Sequence, residues 1–89
     1  MNKRIQWSQE EMEEVLWCYM YIKQKTLWEN YKEAYKLWRE RNPLKRMNVD
    51  AKALFNQKKY ILKAKRIPAI KLDGIKENVR LKIRDDTED

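Results

Sequence analysis

The chain has 89 residues, 43% of them hydrophobic and 39% charged, with one Gly, two Pro, one Cys and no His. That length bounds it to one domain around one small core. Four Trp and five Tyr exclude a disordered segment, which would be poor in large apolar side chains. With no His and only Cys18, the common zinc ligand sets, a Cys–His nucleophile pair and an internal disulfide are all excluded. No Gly-rich loop that would cradle phosphates is present, so no enzyme, cofactor, metal or small-molecule substrate is expected.

The net charge of +7 is unevenly distributed. Residues 1–42 carry eight Lys/Arg against seven Asp/Glu, residues 43–84 carry thirteen against three, and residues 85–89 carry four acids and no base. A neutral half joined to a strongly basic half points to an anionic partner, nucleic acid first. A basic third helix suited to the major groove favours DNA over RNA. No apolar run approaches the roughly 20 residues that cross a bilayer. The start leads into Gln9-Glu10-Glu11 rather than an apolar segment, so an intracellular, reducing setting is expected, and a nuclear one if the partner is DNA.

Residues 1–6 are read as a flexible basic arm, with Lys3 and Arg4 able to touch phosphate. A single helical domain is expected over 7–84. Trp7-Ser8-Gln9-Glu10-Glu11-Met12 is a helix start: Ser8 caps, Glu11 completes a capping box, and Trp7 and Met12 form a hydrophobic staple. Glu10, Glu11, Glu13 and Glu14 suit the positive end of the helix dipole and are read as surface. Met12, Val15, Leu16, Tyr19 and Ile22 form an inward stripe, and the helix should end near Gln24. A second capping-box match, Thr26-Leu27-Trp28-Glu29, predicts the next start. Its stripe is Leu27, Tyr31, Ala34, Tyr35 and Trp38; Lys32, Glu33, Lys36, Arg39 and Glu40 are expected outside. Arg41-Asn42-Pro43 stops this helix, because a residue before Pro resists the α region.

Asp50 to Arg66 is the stretch the rest supports. Asp50 is the expected cap, with Asn48 as a competitor. Leu54 and Ile61 face the core; Phe55 and Leu62 lie at its edge; Lys58 and Lys65 pack their stems while their amines reach water. Lys52, Asn56, Lys59, Lys63 and Arg66 share a strip about 80° wide on the opposite side. Lys45 and Arg46 lie on the preceding turn, placed to meet the nucleic-acid backbone. Lysines can reach guanine acceptors and all the cations can meet phosphate, while Asn56 can pair bidentately with adenine. The nucleic-acid-binding set is therefore Lys45, Arg46, Lys52, Asn56, Lys59, Lys63 and Arg66.

Ile67-Pro68 breaks the helix. A short fourth helix follows, with a stripe of Ile70 or Leu72, Ile75, Val79 and Ile83. Gly74 weakens it, and the basic residues among 70–84 leave a membrane-surface helix as a weaker alternative. Residues 85–89 are expected to form an acidic, disordered tail.

The order of Trp7-Ser8-x-Glu10-Glu11, two aromatic-rich helices, a turn and a basic third helix resembles the Myb/SANT-like class of helix-turn-helix domains. Myb repeats space their tryptophans more widely; here Trp7, Trp17, Trp28 and Trp38 are 10 or 11 apart, and the third helix has none. Over residues 4–82 the chain also resembles the region ahead of the reverse transcriptase in some animal non-LTR retrotransposon polyproteins. The carriers are Arg4-x-x-Trp7-Ser8-x-Glu10-Glu11, Leu37-Trp38-x-x-Arg41-Asn42-Pro43 and Leu54-x-x-Gln57-x-x-x-Ile61. This resemblance implies an all-α, three-helix bundle with a short fourth helix, acting as a DNA- or RNA-binding module. Two rival expectations are a SANT-like protein-interaction module and single-stranded nucleic-acid binding by aromatic stacking.

Overall fold

The computed structural model describes residues 7–87 and is built of four helices: α1 (Gln9–Thr26), α2 (Tyr31–Arg41), α3 (Ala51–Lys63) and α4 (Ala69–Thr87). The expected arm at 1–6 and the last two residues lie outside the described residues. Among the described residues there is no strand, and the all-α expectation holds.

α1 is the hub: it packs against α2, α3 and α4, and α2 packs against α3. Its start follows the local rule. Glu11 N–H donates to Ser8 Oγ at 3.1 Å, and Ser8 N–H donates to Glu11 Oε1 at 3.0 Å. Val15, Leu16 and Cys18 are almost fully buried beneath it, with Trp38 from α2, Leu54 and Ile61 from α3, and Val79 from α4. Fully burying a side chain the size of Leu or Ile contributes about 2–3 kcal/mol.

The end of α1 departs from expectation. It runs to Thr26, and Leu27 closes it in the left-handed region at φ 69°, its N–H donating to Lys23 O at 2.8 Å. The Thr26 hydroxyl donates toward Ile22 O (2.7 Å) and Trp28 O (3.0 Å), so it closes α1 and does not cap α2. Asn30 is the cap, accepting from Glu33 N–H at 3.2 Å. Leu27 consequently leaves the predicted stripe and is 88% exposed. α2 buries Ala34 and Trp38, half-buries Tyr35, and stops one residue before Asn42-Pro43 as expected.

α3 starts at the predicted cap: Asp50 accepts from Ala53 N–H at 2.8 Å. It ends at Lys63 rather than Arg66. Lys65 takes a left-handed φ of 52°, and the N–H groups of Lys65 and Arg66 donate to Leu62 O (3.3 Å) and Ile61 O (3.0 Å). This is a Schellman closure made without glycine. It turns Ile67 into the core, where it is 3% exposed.

α4 is not short; at 19 residues it is the longest helix. It runs parallel to α1: Trp17 Nε1–H donates to Asn78 Oδ1 at 3.0 Å, and one turn on Tyr21 Oη–H donates to Asp86. Asp86 also pairs with Lys82 at 3.1 Å, so the acidic tail begins as helix through Thr87. Ile75 and Val79 are buried against the bundle, and Leu72 and Ile83 pack at its edge, so the apolar side of α4 is used within the domain. No helix among the described residues is long and apolar enough to cross a membrane.

Gly74 sits within α4, and a Cβ there would meet nothing within 4 Å. Gly74→Ala is therefore expected to raise unfolding free energy by about 1 kcal/mol, read as a higher urea midpoint at unchanged slope.

Candidate nucleic-acid interface

The approach of α3 is set by the segment between α2 and α3, and that segment is organised by Arg39. Its Nη1 donates to Asn42 O (3.2 Å) and Lys45 O (2.6 Å); its Nη2 donates to Arg46 O (3.0 Å) and Val49 O (3.1 Å). The guanidinium lies 4.7 Å from the Trp38 ring centroid, and Tyr35 Oη–H donates to Val49 O at 3.0 Å. Periodicity placed Arg39 outside with Lys36 and Glu40; it is instead half-buried and clamps the turn.

Arg46 also departs from its expected role. Its Nε and Nη2 donate bidentately to the Glu11 carboxylate at 3.0 and 2.7 Å, and its guanidinium covers Trp7 at 4.5 Å. With 12% of its side chain exposed, it ties the turn to the start of α1. Arg41 pairs with Glu14 in the same way and lies 4.2 Å from the Trp17 ring centroid. Two of the four first-helix carboxylates are therefore tertiary anchors, beyond the dipole role expected for them.

The Arg46 bond, aided by Ser8 and opposed by partial burial, holds the Glu11 carboxyl at about 2. Because the folded value lies below the ordinary one, the stabilisation is present above pH 4.5 and is lost as pH falls toward 2. Arg46→Met is expected to flatten the acid limb of a plot of thermal midpoint against pH over that window. An unchanged limb would mean that the pair contributes nothing.

On α3, Lys52, Asn56, Lys59 and Lys63 all lie exposed on the outward side, as the spacing predicted. No carboxylate occurs between Ala51 and Lys63, and these lysines form no ion pair among the described residues. Lys59 Nζ lies 5.4 Å from the Phe55 ring centroid, which lines its stem along the helix flank. Lys45 is exposed on the turn. Arg66 is exposed too, but it follows the Schellman closure, so it extends the basic surface without continuing the helical strip.

The inner side of α3 holds an ion pair that the spacing did not disclose. The Lys58 amine is turned inward to Glu29, with only 11% of the side chain exposed, and lies 5.5 and 5.3 Å from the Tyr19 and Phe55 ring centroids. That bond lowers the Glu29 carboxyl from its ordinary value. Cys18 is fully buried, and burial pushes its thiol up to about 12, which removes it as a nucleophile near neutral pH. Among the described residues no group of three His, Cys, Asp or Glu is placed to hold a metal ion.

No protein-family model matches the chain, and searches of curated proteins and of solved structures found no match to it.

Proposed function

We propose that this domain binds nucleic acid, preferably duplex DNA, by laying the outward face of α3 in the major groove as the recognition helix of a Myb/SANT-like helix-turn-helix domain. The observation that carries this reading is the exposed row of Lys52, Asn56, Lys59 and Lys63 on a helix that has no carboxylate of its own. Lys45 and Arg66 flank the row and serve phosphate; Arg46 serves the fold. Phosphate contacts supply most of the affinity, and Asn56, the strip member with both a donor and an acceptor, supplies base preference.

The similarity to retrotransposon polyprotein segments fits a nucleic-acid-handling module, acting in the nucleus if the partner is DNA. Stacking of single-stranded bases is the weaker reading, because seven of the ten aromatic side chains are buried or half-buried and only Trp28, Tyr31 and Tyr60 are exposed.

Titrating duplex DNA into the isotope-labelled chain is expected to shift the amide signals of Lys52, Asn56, Lys59 and Lys63 and to leave those of α2 unmoved. Shifts centred on α2 would overturn the reading. In a selection from random duplexes, Asn56→Ala is expected to flatten preference at one or two positions, by about 1–3 kcal/mol each, with a smaller loss of total affinity. Equal losses on all sequences would remove Asn56 from base reading.

A further inference from the structure

We infer that the domain carries a second binding surface, a groove between α3 and α4 that takes an acidic amphipathic helix from a protein partner. α3 and α4 both descend from the corner at Ile67-Pro68, and α1 supplies the surface between them. Leu16, Tyr19 and Met20 of α1 form the floor, Leu62 and Lys76 the two sides, and Leu27 one end of a groove of about 510 Å³. Past Leu62 the apolar lining continues over Ile67, Pro68 and Leu72 in an adjoining hollow of about 500 Å³.

Three features point to an occupant. Leu27 and Leu62 are 88% and 43% exposed, although each has apolar neighbours to pack with if a partner covers it. Leu27 is moreover held there in a left-handed conformation that costs a non-glycine residue about 1–2 kcal/mol. The buried hydroxyl of Tyr19, in the floor, has no hydrogen-bond partner among the described residues.

Charge selects the kind of occupant. Lys23, Lys58, Lys65 and Lys76 edge the groove and its continuation, and Glu29, the one carboxylate in the lining, is bonded to Lys58. An apolar floor with a net positive edge fits a helix that has Leu-like anchors at i, i+3, i+4 and i+7 and carboxylates on its flanks. A second copy of this chain fits poorly, because each copy carries +7 and the edge it would meet is itself basic. A nucleic acid fits poorly as well, since the apolar lining that reaches the surface is Met20, Leu27 and Leu62, and Tyr19, the one aromatic residue there, is only 4% exposed. The groove lies on a different side of α3 from the basic strip, so this inference stands or falls apart from the nucleic-acid reading.

The test uses the full chain and a fluorescent peptide of about 15 residues, with Leu at the four anchor spacings and Glu elsewhere, beside a scrambled peptide of the same composition. Binding of the patterned peptide is expected to be at least about tenfold tighter than that of the scrambled one. Its amide shifts should centre on Leu16, Met20, Leu27 and Leu62. Leu62→Asp and Lys76→Glu both change exposed positions, so the helical circular dichroism of each variant should match the parent. Each should weaken the patterned peptide by about tenfold or more. Equal binding of the two peptides, or shifts confined to Lys52, Asn56 and Lys63, would overturn the inference. So would a concentration-dependent dimer that Leu62→Asp dissociates, since the groove would then belong to a second copy.

Discussion

Arg39→Ala is expected to lower the unfolding free energy by about 3 kcal/mol, a large loss for a residue that helical periodicity puts on the surface. One planar guanidinium satisfies four carbonyl oxygens, those of Asn42, Lys45, Arg46 and Val49, while resting on Trp38. Removing it takes a charged donor from all four. Asn42 O, Arg46 O and Val49 O each keep one other donor (Lys45 N–H, Val49 N–H and Tyr35 Oη–H), Lys45 O loses its bond, and the segment that sets the angle between α2 and α3 is freed. Arg39→Lys should recover less than half of the loss, because a single ammonium cannot present two parallel pairs of donors. Equilibrium urea unfolding of the three proteins checks this. An Arg39→Ala midpoint equal to the parent's would show that the turn keeps its shape without the clamp. On the present account Arg39→Ala also weakens duplex binding without touching DNA, because α3 loses its fixed approach.

The second large effect is on affinity. The double variant Lys59→Ala/Lys63→Ala is expected to weaken duplex binding on the order of tenfold or more at low salt, on every sequence tested. The slope of log affinity against log salt should shrink by about 1.8, the value for two phosphates no longer neutralised. Both lysines are exposed, and neither forms an ion pair among the described residues, so the fold should be unaffected. Affinity and slope both equal to the parent's would remove the outward face of α3 as the interface. A lost affinity with an unchanged slope would mean that the lysines act by packing and not by charge.

Elements governed by near neighbours were legible in the sequence. The Ser8–Glu11 capping box, the Asp50 cap and the stop before Pro43 each depend on residues no more than three apart, and all stand where the spacing put them. The burial of Leu54, Ile61, Ile75 and Val79 follows from simple helical repeats. What escaped depends on partners far along the chain or on a choice between two local options. Thr26 had two options, capping α2 or closing α1, and bonding to Ile22 and Trp28 carbonyls decided it. The α3 end at Lys63 was hidden because Lys65 adopts a conformation usually left to Gly or Asn. Arg46 looked like one more cation on a basic turn until Glu11, 35 residues away, took its guanidinium. Arg39 and Lys58 escaped for the same reason: a charge pattern gives the sign of a side chain and leaves open which way it turns. A usable clue existed at Glu11, because an acid at a helix start beside Trp7 offers an arginine both an ion pair and a ring.

These distinctions matter for the interface. Of the seven cationic or amide residues expected to meet nucleic acid, Lys52, Asn56, Lys59 and Lys63 share one exposed face; Lys45 and Arg66 flank it; Arg46 is taken up by the fold. The face is therefore narrower than the charge count suggests, and its affinity should be correspondingly modest and salt-sensitive.

The most direct measurement is the binding of labelled duplex DNA, single-stranded DNA and RNA of matched length at about 50 and about 200 mM salt. The duplex is expected to bind tightest, and its affinity to fall on the order of a hundredfold between the two salts, as about four neutralised phosphates require. No binding to any of the three at the lower salt would contradict it and return the basic strip of α3 to ordinary solvated surface.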